Sequence, residues 1–261
     1  MPAEQLTVTA LQWPAALEPA ANRDALGGFH GSADLVVLPE AFARDFGPVT
    51  DPLGPYAEEQ GGAFDIALTA LAGRTGGAVV AGMFESSGDP ERPHNTLLVR
   101  GSCHAAYRKV HLYDSFGYRE SDRLTAGPWK PTVVEIGGWQ VGLLTCYDLR
   151  FPELARDLVT AGAEALVVPA AWVPGRTPEE HARKVDHWRT LVRARAIENV
   201  SWVVAVGQPA PRYTGHSMVV DPNGTVVAEA GADRTELSAV LERSTLIEAR
   251  ATNPSLTNRV H

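Results

Sequence analysis

The sequence has few cysteines, no long hydrophobic run and no cluster of basic residues. Only two of its 261 residues are cysteines, and neither has a second Cys or His at the close spacing of a zinc motif. A disulfide framework is therefore excluded, and the low cysteine content favours a reducing compartment. The longest apolar stretch, residues 165–173, contains Pro169 and is too short to cross a membrane.

The N-terminal sequence and the charge balance argue against a secreted protein and against a nucleic-acid-binding protein. The segment Met1–Glu4 lacks the basic and then apolar blocks of a signal peptide, so we expect a cytoplasmic protein without a membrane anchor. Acidic residues outnumber basic ones by 31 to 23, giving a net charge of −8, which makes nucleic acid a poor partner. With 44% hydrophobic residues and no linker or repeat, the chain is expected to fold as one domain over residues 1–261.

Short β-branched runs alternate with segments of helical periodicity, which predicts an α/β fold. Strands are predicted over residues 6–11, 34–38, 77–83, 95–99, 133–136, 140–145, 165–168 and 202–206. Helices are predicted over residues 18–26, 55–71, 152–160 and 178–198. The pattern after residue 200 is β-rich, and Pro222-Asn-Gly224 predicts a hairpin between segments 217–220 and 225–228.

Cys146 lies where an apolar strand stops and a helix begins a few residues later. Such a turn puts a side chain at the carboxyl edge of a sheet, where ligands bind in α/β folds. The backbone N–H groups that follow favour a thiolate and can hold an oxyanion. From this context, Cys146 is either a nucleophile or a buried structural thiol. Cys103, on a predicted hairpin, is interpreted as structural.

A thiol nucleophile needs a base, and none of the eight histidines lies in a cysteine-protease signature. Glu40 ends the apolar run that begins at Leu35, where a carboxylate can act as a general base or be a solvated or capping residue. Strand alternation puts Arg108 and Lys109 on opposite faces. A buried Lys109 would need a carboxylate such as Glu40, whereas the alternative is a lysine at the sheet edge.

Taken together, three segments resemble the motifs of the nitrilase superfamily of carbon–nitrogen hydrolases, whose members carry a Glu-Lys-Cys triad in this order. The segments are Leu38-Pro-Glu40, Tyr107-Arg-Lys-Val-His-Leu112 and Thr145-Cys-Tyr-Asp-Leu-Arg-Phe-Pro-Glu153. The resemblance continues through residues 10–12, 187–188, 193–199 and 215–217, and so covers nearly the whole chain. It implies a four-layer αββα sandwich of two face-to-face sheets with helices outside, and a homodimer or a larger assembly.

The resemblance also implies roles for individual residues. Glu40 would take the thiol proton of Cys146 and later activate water. Lys109 and the N–H of Tyr147 would stabilise the tetrahedral oxyanion, and no metal or organic cofactor is required.

Many family members have a second glutamate between the lysine and cysteine motifs. Glu120 matches it as a fourth catalytic residue, and Asp122 is a near competitor.

The sequence segments 146–153 and 193–199 are most similar to those of the amidase branch that includes omega-amidase and deaminated glutathione amidase. This implies cleavage of a small linear amide to an acid and ammonia through a thioester. If that substrate carries a carboxylate, Arg150 is a candidate partner for it, unless Arg150 pairs with Asp148 or Glu153.

Trp172 is a candidate pocket wall or an ordinary core residue, and the loop 173–180 is longer than in the omega-amidases. His187 and Trp188, on the helix 178–198, are interpreted as packing residues rather than catalytic ones.

The alternatives to the amidase are a nitrilase or an N-carbamoyl amidohydrolase. From another functional class, the alternative is a catalytically silent member that binds a metabolite or a protein partner.

Overall fold

The computed structural model of the chain describes residues 3–260; Met1, Pro2 and His261, which belong to the predicted domain, lie outside the described residues. The elements of the first half are β1 (Gln5–Gln12), α1 (Pro19–Gly27), β2 (Leu35–Val37), α2 (Ala63–Thr75), β3 (Ala78–Glu85), β4 (His94–Arg100), β5 (Ala105–Arg108), β6 (Asp114–Ser115) and β7 (Tyr118–Arg119). Those of the second half are β8 (Val133–Ile136), β9 (Trp139–Leu143), α3 (Pro152–Thr160), β10 (Ala165–Ala170), α4 (Pro178–Asn199), β11 (Trp202–Gly207), β12 (Met218–Val220), β13 (Val226–Glu229), β14 (Thr235–Glu242) and α5 (Arg243–Thr252).

The strands form two six-stranded sheets of similar design, with a separate small hairpin of β6 and β7. The first sheet has the order β14-β1-β2-β3-β4-β5, and the second has the order β13-β12-β11-β10-β9-β8. In each sheet three central strands run parallel, β1-β2-β3 and β9-β10-β11, and the outer strands are antiparallel. Parallel strands of one sheet end at the same edge, so the segments after β9 and β10 lie side by side. The segment after β2, in the other sheet, meets them there, since the Ala171 N–H donates to Glu40 Oε2.

Strand β2 explains why the sheets stack as layers. Successive side chains point to opposite faces of a sheet, and all three residues of β2 are fully buried. Leu35 and Val37 join the core between the two sheets, together with Val167 of the second sheet. Val36 faces the other way and packs in a separate cluster with Leu68 of α2. Each buried side chain of this kind contributes about 1.5–3 kcal/mol through the hydrophobic effect.

Helices cover the outer faces of both sheets, which confirms the predicted αββα layers. Helices α1 and α2 pack against each other and α2 lies on the first sheet, whereas α3 and α4 lie on the second sheet. Within the described residues, no helix is both long and apolar enough to cross a membrane.

One helix prediction was wrong, and one helix was missed. The helix expected over residues 55–71 begins only at Ala63, because Gly61 has a positive φ of 89° and the chain at Glu58 instead forms a β-bridge with Glu85. The C-terminal helix α5 was not predicted, since the sequence after residue 200 was interpreted as β-rich. The hairpin around Pro222-Asn-Gly224 is confirmed by the antiparallel pairing of β12 and β13.

Candidate active site

Cys146 begins a short 3-10 turn between the end of β9 and the start of α3. Its φ of +46° is in the left-handed region, which is strained for a side chain of this size. The turn is held by Asp148, whose N–H donates to the Thr145 carbonyl at 2.9 Å and whose Oδ2 accepts the Thr145 N–H at 3.0 Å. The strained backbone therefore presents the thiol at the carboxyl edge of the second sheet, as the sequence predicts.

Glu40 and Lys109 lie beside this turn and contact each other. Lys109 Nζ donates to Glu40 Oε1 at 2.9 Å, and the two side chains are only 2% and 1% exposed. Arg108 points the other way, to Glu85. The expected alternation and the expected partner of a buried Lys109 are thus confirmed in the structure.

Glu120 is the second carboxylate that contacts the lysine. Lys109 Nζ donates to its two carboxylate oxygens at 3.0 and 2.9 Å, and Glu120 Oε2 also accepts the Tyr113 N–H at 2.6 Å. Asp122 instead lies in solvent, 64% exposed, next to Arg119. Glu120 rather than Asp122 therefore meets the lysine, and the buried cluster contains one ammonium and two carboxylates.

Burial and these charges set the protonation of the cluster. Burial alone would lower the pKa of Lys109, but Glu120 and Glu40 outweigh it and raise that pKa well above its ordinary value, so Lys109 stays an ammonium. The pKa of Cys146 is raised well above its ordinary value, first by burial and then by the charge of Glu40. Burial and Glu40 thus favour the neutral thiol of Cys146 over the thiolate.

Three more donors hold Glu40, two at its carboxylate and one at its backbone carbonyl, and sequence reasoning did not find them. Asn95 Nδ2 donates to Glu40 Oε1 at 2.7 Å, and the Ala171 N–H donates to Glu40 Oε2 at 2.8 Å. Gln208 Nε2 donates to the backbone carbonyl of Glu40 at 3.0 Å. The carboxylate is thereby fixed from several elements of the fold.

Glu40, Lys109, Glu120 and Cys146 open onto a cavity of about 630 Å³. All three predicted substrate-contacting residues, Tyr147, Arg150 and Trp172, line it as well. A cavity of this size accepts a small organic molecule.

The motifs and the fold match a known family. A sequence model described as carbon–nitrogen hydrolase matches residues 3–251. The chain belongs to the carbon–nitrogen hydrolase family. The protein is thus a hydrolase that acts on carbon–nitrogen bonds.

Individual relatives agree with this assignment. A deaminated glutathione amidase from Synechocystis is 36% identical over 244 residues, covering 87% of this chain and 86% of that protein. A 2-oxoglutaramate amidase from Paenarthrobacter nicotinovorans is 39% identical over 168 residues, covering 61% of this chain and 53% of that protein. The crystal structure of a CN-hydrolase superfamily protein from Xanthomonas campestris, with an arsenic adduct in its active site, superimposes with a TM-score of 0.86 at 28% identity, covering 99% and 98% of the two chains.

The cavity of the hydrolase is rich in cations although the whole chain is acidic. Seven lysines and arginines line it, against three glutamates. The cations are Lys109, Arg123, Arg150, Arg176, Arg183, Lys184 and Arg212. Arg212 pairs with Asp45, whereas four of the others, Arg150, Arg176, Arg183 and Lys184, make no ion pair with a residue of the described chain. The cavity therefore favours an anionic ligand.

Arg150 of the hydrolase does not pair with Asp148 or Glu153, so that alternative was wrong. Asp148 accepts hydrogen bonds from Tyr107, His111 and the Thr145 N–H, and the Arg150 guanidinium lies over Trp172, 4.9 Å from the ring centroid. Arg150 Nε is buried without a hydrogen-bond partner among the described residues. The guanidinium thus retains donor capacity at the cavity.

Trp172 fits both interpretations, because it is 6% exposed in the core and also lines the cavity. The prediction for Trp188 is confirmed: it is fully buried in the core. His187 lines the cavity as well, and its buried Nδ1 has no partner in the described chain, so its role there stays open beside the packing role that the sequence predicted. The sequence feature that could have placed His187 at the cavity is its spacing of three residues from Lys184, which puts both side chains on one face of α4.

Proposed function

We propose that this hydrolase cleaves a small linear amide that carries a carboxylate, giving an acid and ammonia through a thioester on Cys146. The observation that carries the proposal is the buried cluster of Glu40, Lys109 and Glu120 beside a protonated thiol, at the end of a cation-lined cavity. The cluster contains a base, a fixed positive charge and a nucleophile, which are the groups that acyl transfer through a cysteine requires.

The first step joins sulfur to the substrate. Glu40 takes the S–H proton of Cys146 as the sulfur attacks the amide carbon, and the carbonyl π electrons move onto oxygen. The Lys109 ammonium and the Tyr147 N–H stabilise this oxyanion. Lys109 suits the task because its raised pKa keeps it charged at the pH of the reaction.

The intermediate then collapses and is hydrolysed. The oxyanion electrons re-form the carbonyl, the C–N bond breaks, and Glu40 returns its proton to the nitrogen, so that ammonia leaves and a thioester remains. Water, deprotonated by Glu40, attacks the thioester carbon, the C–S bond breaks, and the sulfur recovers a proton as the acid departs. Glu120 keeps Lys109 oriented through both steps by accepting its other hydrogen bonds.

The substrate class follows from the charges of the cavity. An acyl chain with a carboxylate would place its negative charge among cations that lack an ion-pair partner in the described chain, with Arg150 as the candidate that binds it. The relatives named deaminated glutathione amidase and 2-oxoglutaramate amidase support an amide of this kind.

The test is ammonia release from a panel of carboxylate-bearing ω-amides, neutral amides, N-carbamoyl amino acids and nitriles, with the wild type compared with Cys146→Ala. We expect turnover of the ω-amides by the wild type and none by the variant. Preferred turnover of a nitrile or a carbamoyl compound would replace the amidase by a nitrilase or an N-carbamoyl amidohydrolase. A folded protein that turns over none of them would favour a catalytically silent binding member.

The proposal includes a homodimer, which the family resemblance supports. Light scattering on the purified protein measures its mass directly. A mass near twice that of the 28.0 kDa chain supports the dimer, and a mass near that of one chain contradicts it.

A further inference from the structure

We propose that Asn95 is a positioning residue that makes Oε2 of Glu40, and not Oε1, the atom that receives the Cys146 proton. The inference rests on the proposed function, because it concerns the base of that reaction. Asn95 lies on β4 and is 1% exposed, so solvent cannot replace its contacts.

Asn95 holds two members of the site at once. Its Nδ2 donates to Glu40 Oε1 at 2.7 Å, and its backbone carbonyl accepts the Lys109 N–H at 2.8 Å. Only the amide nitrogen of Asn95 can face a carboxylate, because two acceptor oxygens would repel each other. Asn95 therefore fixes the Glu40 side chain and the backbone of Lys109 relative to each other.

Counting acceptor positions identifies the basic oxygen. A carboxylate oxygen has about two lone-pair positions. Both positions of Glu40 Oε1 are filled, by Asn95 Nδ2 and Lys109 Nζ. Among the described residues, Oε2 accepts one donor, the Ala171 N–H, which leaves one position for the proton of Cys146. Without Asn95, Oε1 would also have an open position, and the carboxylate could rotate away from the thiol.

The other end of Asn95 indicates that this arrangement does not serve stability alone. Asn95 Oδ1 is buried and has no hydrogen-bond partner in the described chain. A buried acceptor without a partner costs stability, so an apolar residue of similar size would fit this part of the core at least as well. The feature that such a residue would lack is the donor to Glu40.

The test compares three variants in a Cys103→Ser background, so that Cys146 is the only thiol. Asn95→Leu removes the donor, Asn95→Asp keeps the shape, and Asn199→Leu is the matched control. Asn199 is also buried with an Oδ1 that has no partner in the described chain, but its Nδ2 donates to the backbone carbonyl of Arg195, away from the cavity. The measurements are kcat and KM for the best amide of the panel, the pH profile, the melting temperature, and the rate of Cys146 alkylation by iodoacetamide.

For Asn95→Leu we expect kcat to fall about 100-fold with KM nearly unchanged, because a misplaced base slows the chemical step without affecting binding. Asn95→Asp should be as slow at pH 8 but recover part of kcat towards pH 5, since a protonated aspartic acid again has a donor for Oε1. Asn199→Leu should keep the wild-type kcat whatever its melting temperature. Alkylation of Cys146 should slow about 10-fold in Asn95→Leu, and in Asn95→Asp at pH 8, but should keep the parent rate in Asn199→Leu.

A wild-type kcat in Asn95→Leu, or no recovery of Asn95→Asp at low pH, would overturn the role of Asn95. Equal losses of kcat in Asn95→Leu and Asn199→Leu would reduce Asn95 to a structural residue. If the wild type turns over no amide, the proposed function fails, and the alkylation rates still decide whether Asn95 aligns a base with the thiol.

Discussion

The Tyr107 hydroxyl donates a 2.6 Å hydrogen bond to Asp148 Oδ2, which joins the strand just before Lys109 to the turn that begins with Cys146. The other oxygen, Oδ1, accepts the backbone N–H of His111 at 2.9 Å and lies 2.8 Å from His111 Nδ1. Tyr107 and His111 flank Lys109 at a spacing of two residues on either side. One fully buried carboxylate therefore fixes the position of the lysine segment relative to the nucleophile.

Replacing Asp148 by Asn should destabilise the protein. An asparagine side chain has only one acceptor oxygen. Its NH2 group would take the place of the other carboxylate oxygen and would face the donors that this oxygen accepts in the wild type. We expect the free energy of unfolding to fall by about 2–4 kcal/mol, measured by urea denaturation at pH 7. Asp186→Asn, at an exposed position of α4, is the control and should stay within about 0.5 kcal/mol of the wild type. Equal stability of the two variants would contradict the role of Asp148.

Replacing Glu40 by Gln should abolish hydrolysis and yet make the Cys146 thiol more acidic. After burial, the negative charge of Glu40 is what raises the pKa of Cys146, so a neutral amide at this place should lower that pKa. The ultraviolet absorbance of the thiolate, titrated in a Cys103→Ser background, should therefore rise at a lower pH in Glu40→Gln than in the parent. If the thiolate absorbance of Glu40→Gln instead rose at a higher pH than that of the parent, Glu40 would stabilise the thiolate, contrary to its proposed role as the base.

Replacing Arg150 by Met should weaken only the binding of carboxylate-bearing substrates. A charged hydrogen bond of the kind proposed contributes about 1.5–3 kcal/mol, so KM for succinamate should rise about 10- to 100-fold. KM for neutral propionamide should not change, and Arg150→Lys should recover part of the loss because it retains the charge without the planar fork. Equal effects on the two substrates would assign Arg150 a structural role.

The ion pair of Glu85 with Arg108 should make stability depend on pH in the acid range. Burial raises the pKa of Glu85, but hydrogen bonds from Arg108, Gln60 and Thr96 outweigh it and lower that pKa from 4.5 to about 2. A carboxyl whose pKa is lower in the folded state stabilises the fold above its unfolded pKa, and this stabilisation is lost as the pH falls towards the folded value.

The wild type should therefore exceed Glu85→Gln in free energy of unfolding by about 1–2 kcal/mol at pH 7, since Arg108 is partly exposed. The difference should shrink steadily below pH 4.5. Urea denaturation at several pH values measures it, and a difference that grows on acidification would contradict the assignment.

Much of the candidate site was visible in the sequence because its parts lie within short segments. The alternation put Arg108 and Lys109 on opposite faces, so that a buried Lys109 would need a carboxylate partner, and the end of an apolar strand predicted the turn at Cys146. Asn95 and Ala171 were missed because they lie 55 and 131 residues from Glu40 along the chain. No local pattern relates such distant segments, and an asparagine within a strand does not differ in sequence from any other.

The sequence by itself determined the candidate reactive groups and the α/β class, because strand periodicity and strand ends are properties of a few consecutive residues. The four layers were implied by the resemblance of three motifs to a known family. The packing of the two sheets decided that Glu120 rather than Asp122 meets Lys109, that Arg150 faces the cavity rather than Asp148, and that His187 lines it. Those outcomes depend on which segments the fold brings within hydrogen-bond distance and which side chains it buries. Burial in turn decides protonation, since a thiol or an ammonium changes its pKa only when the folded chain removes water and supplies its neighbours.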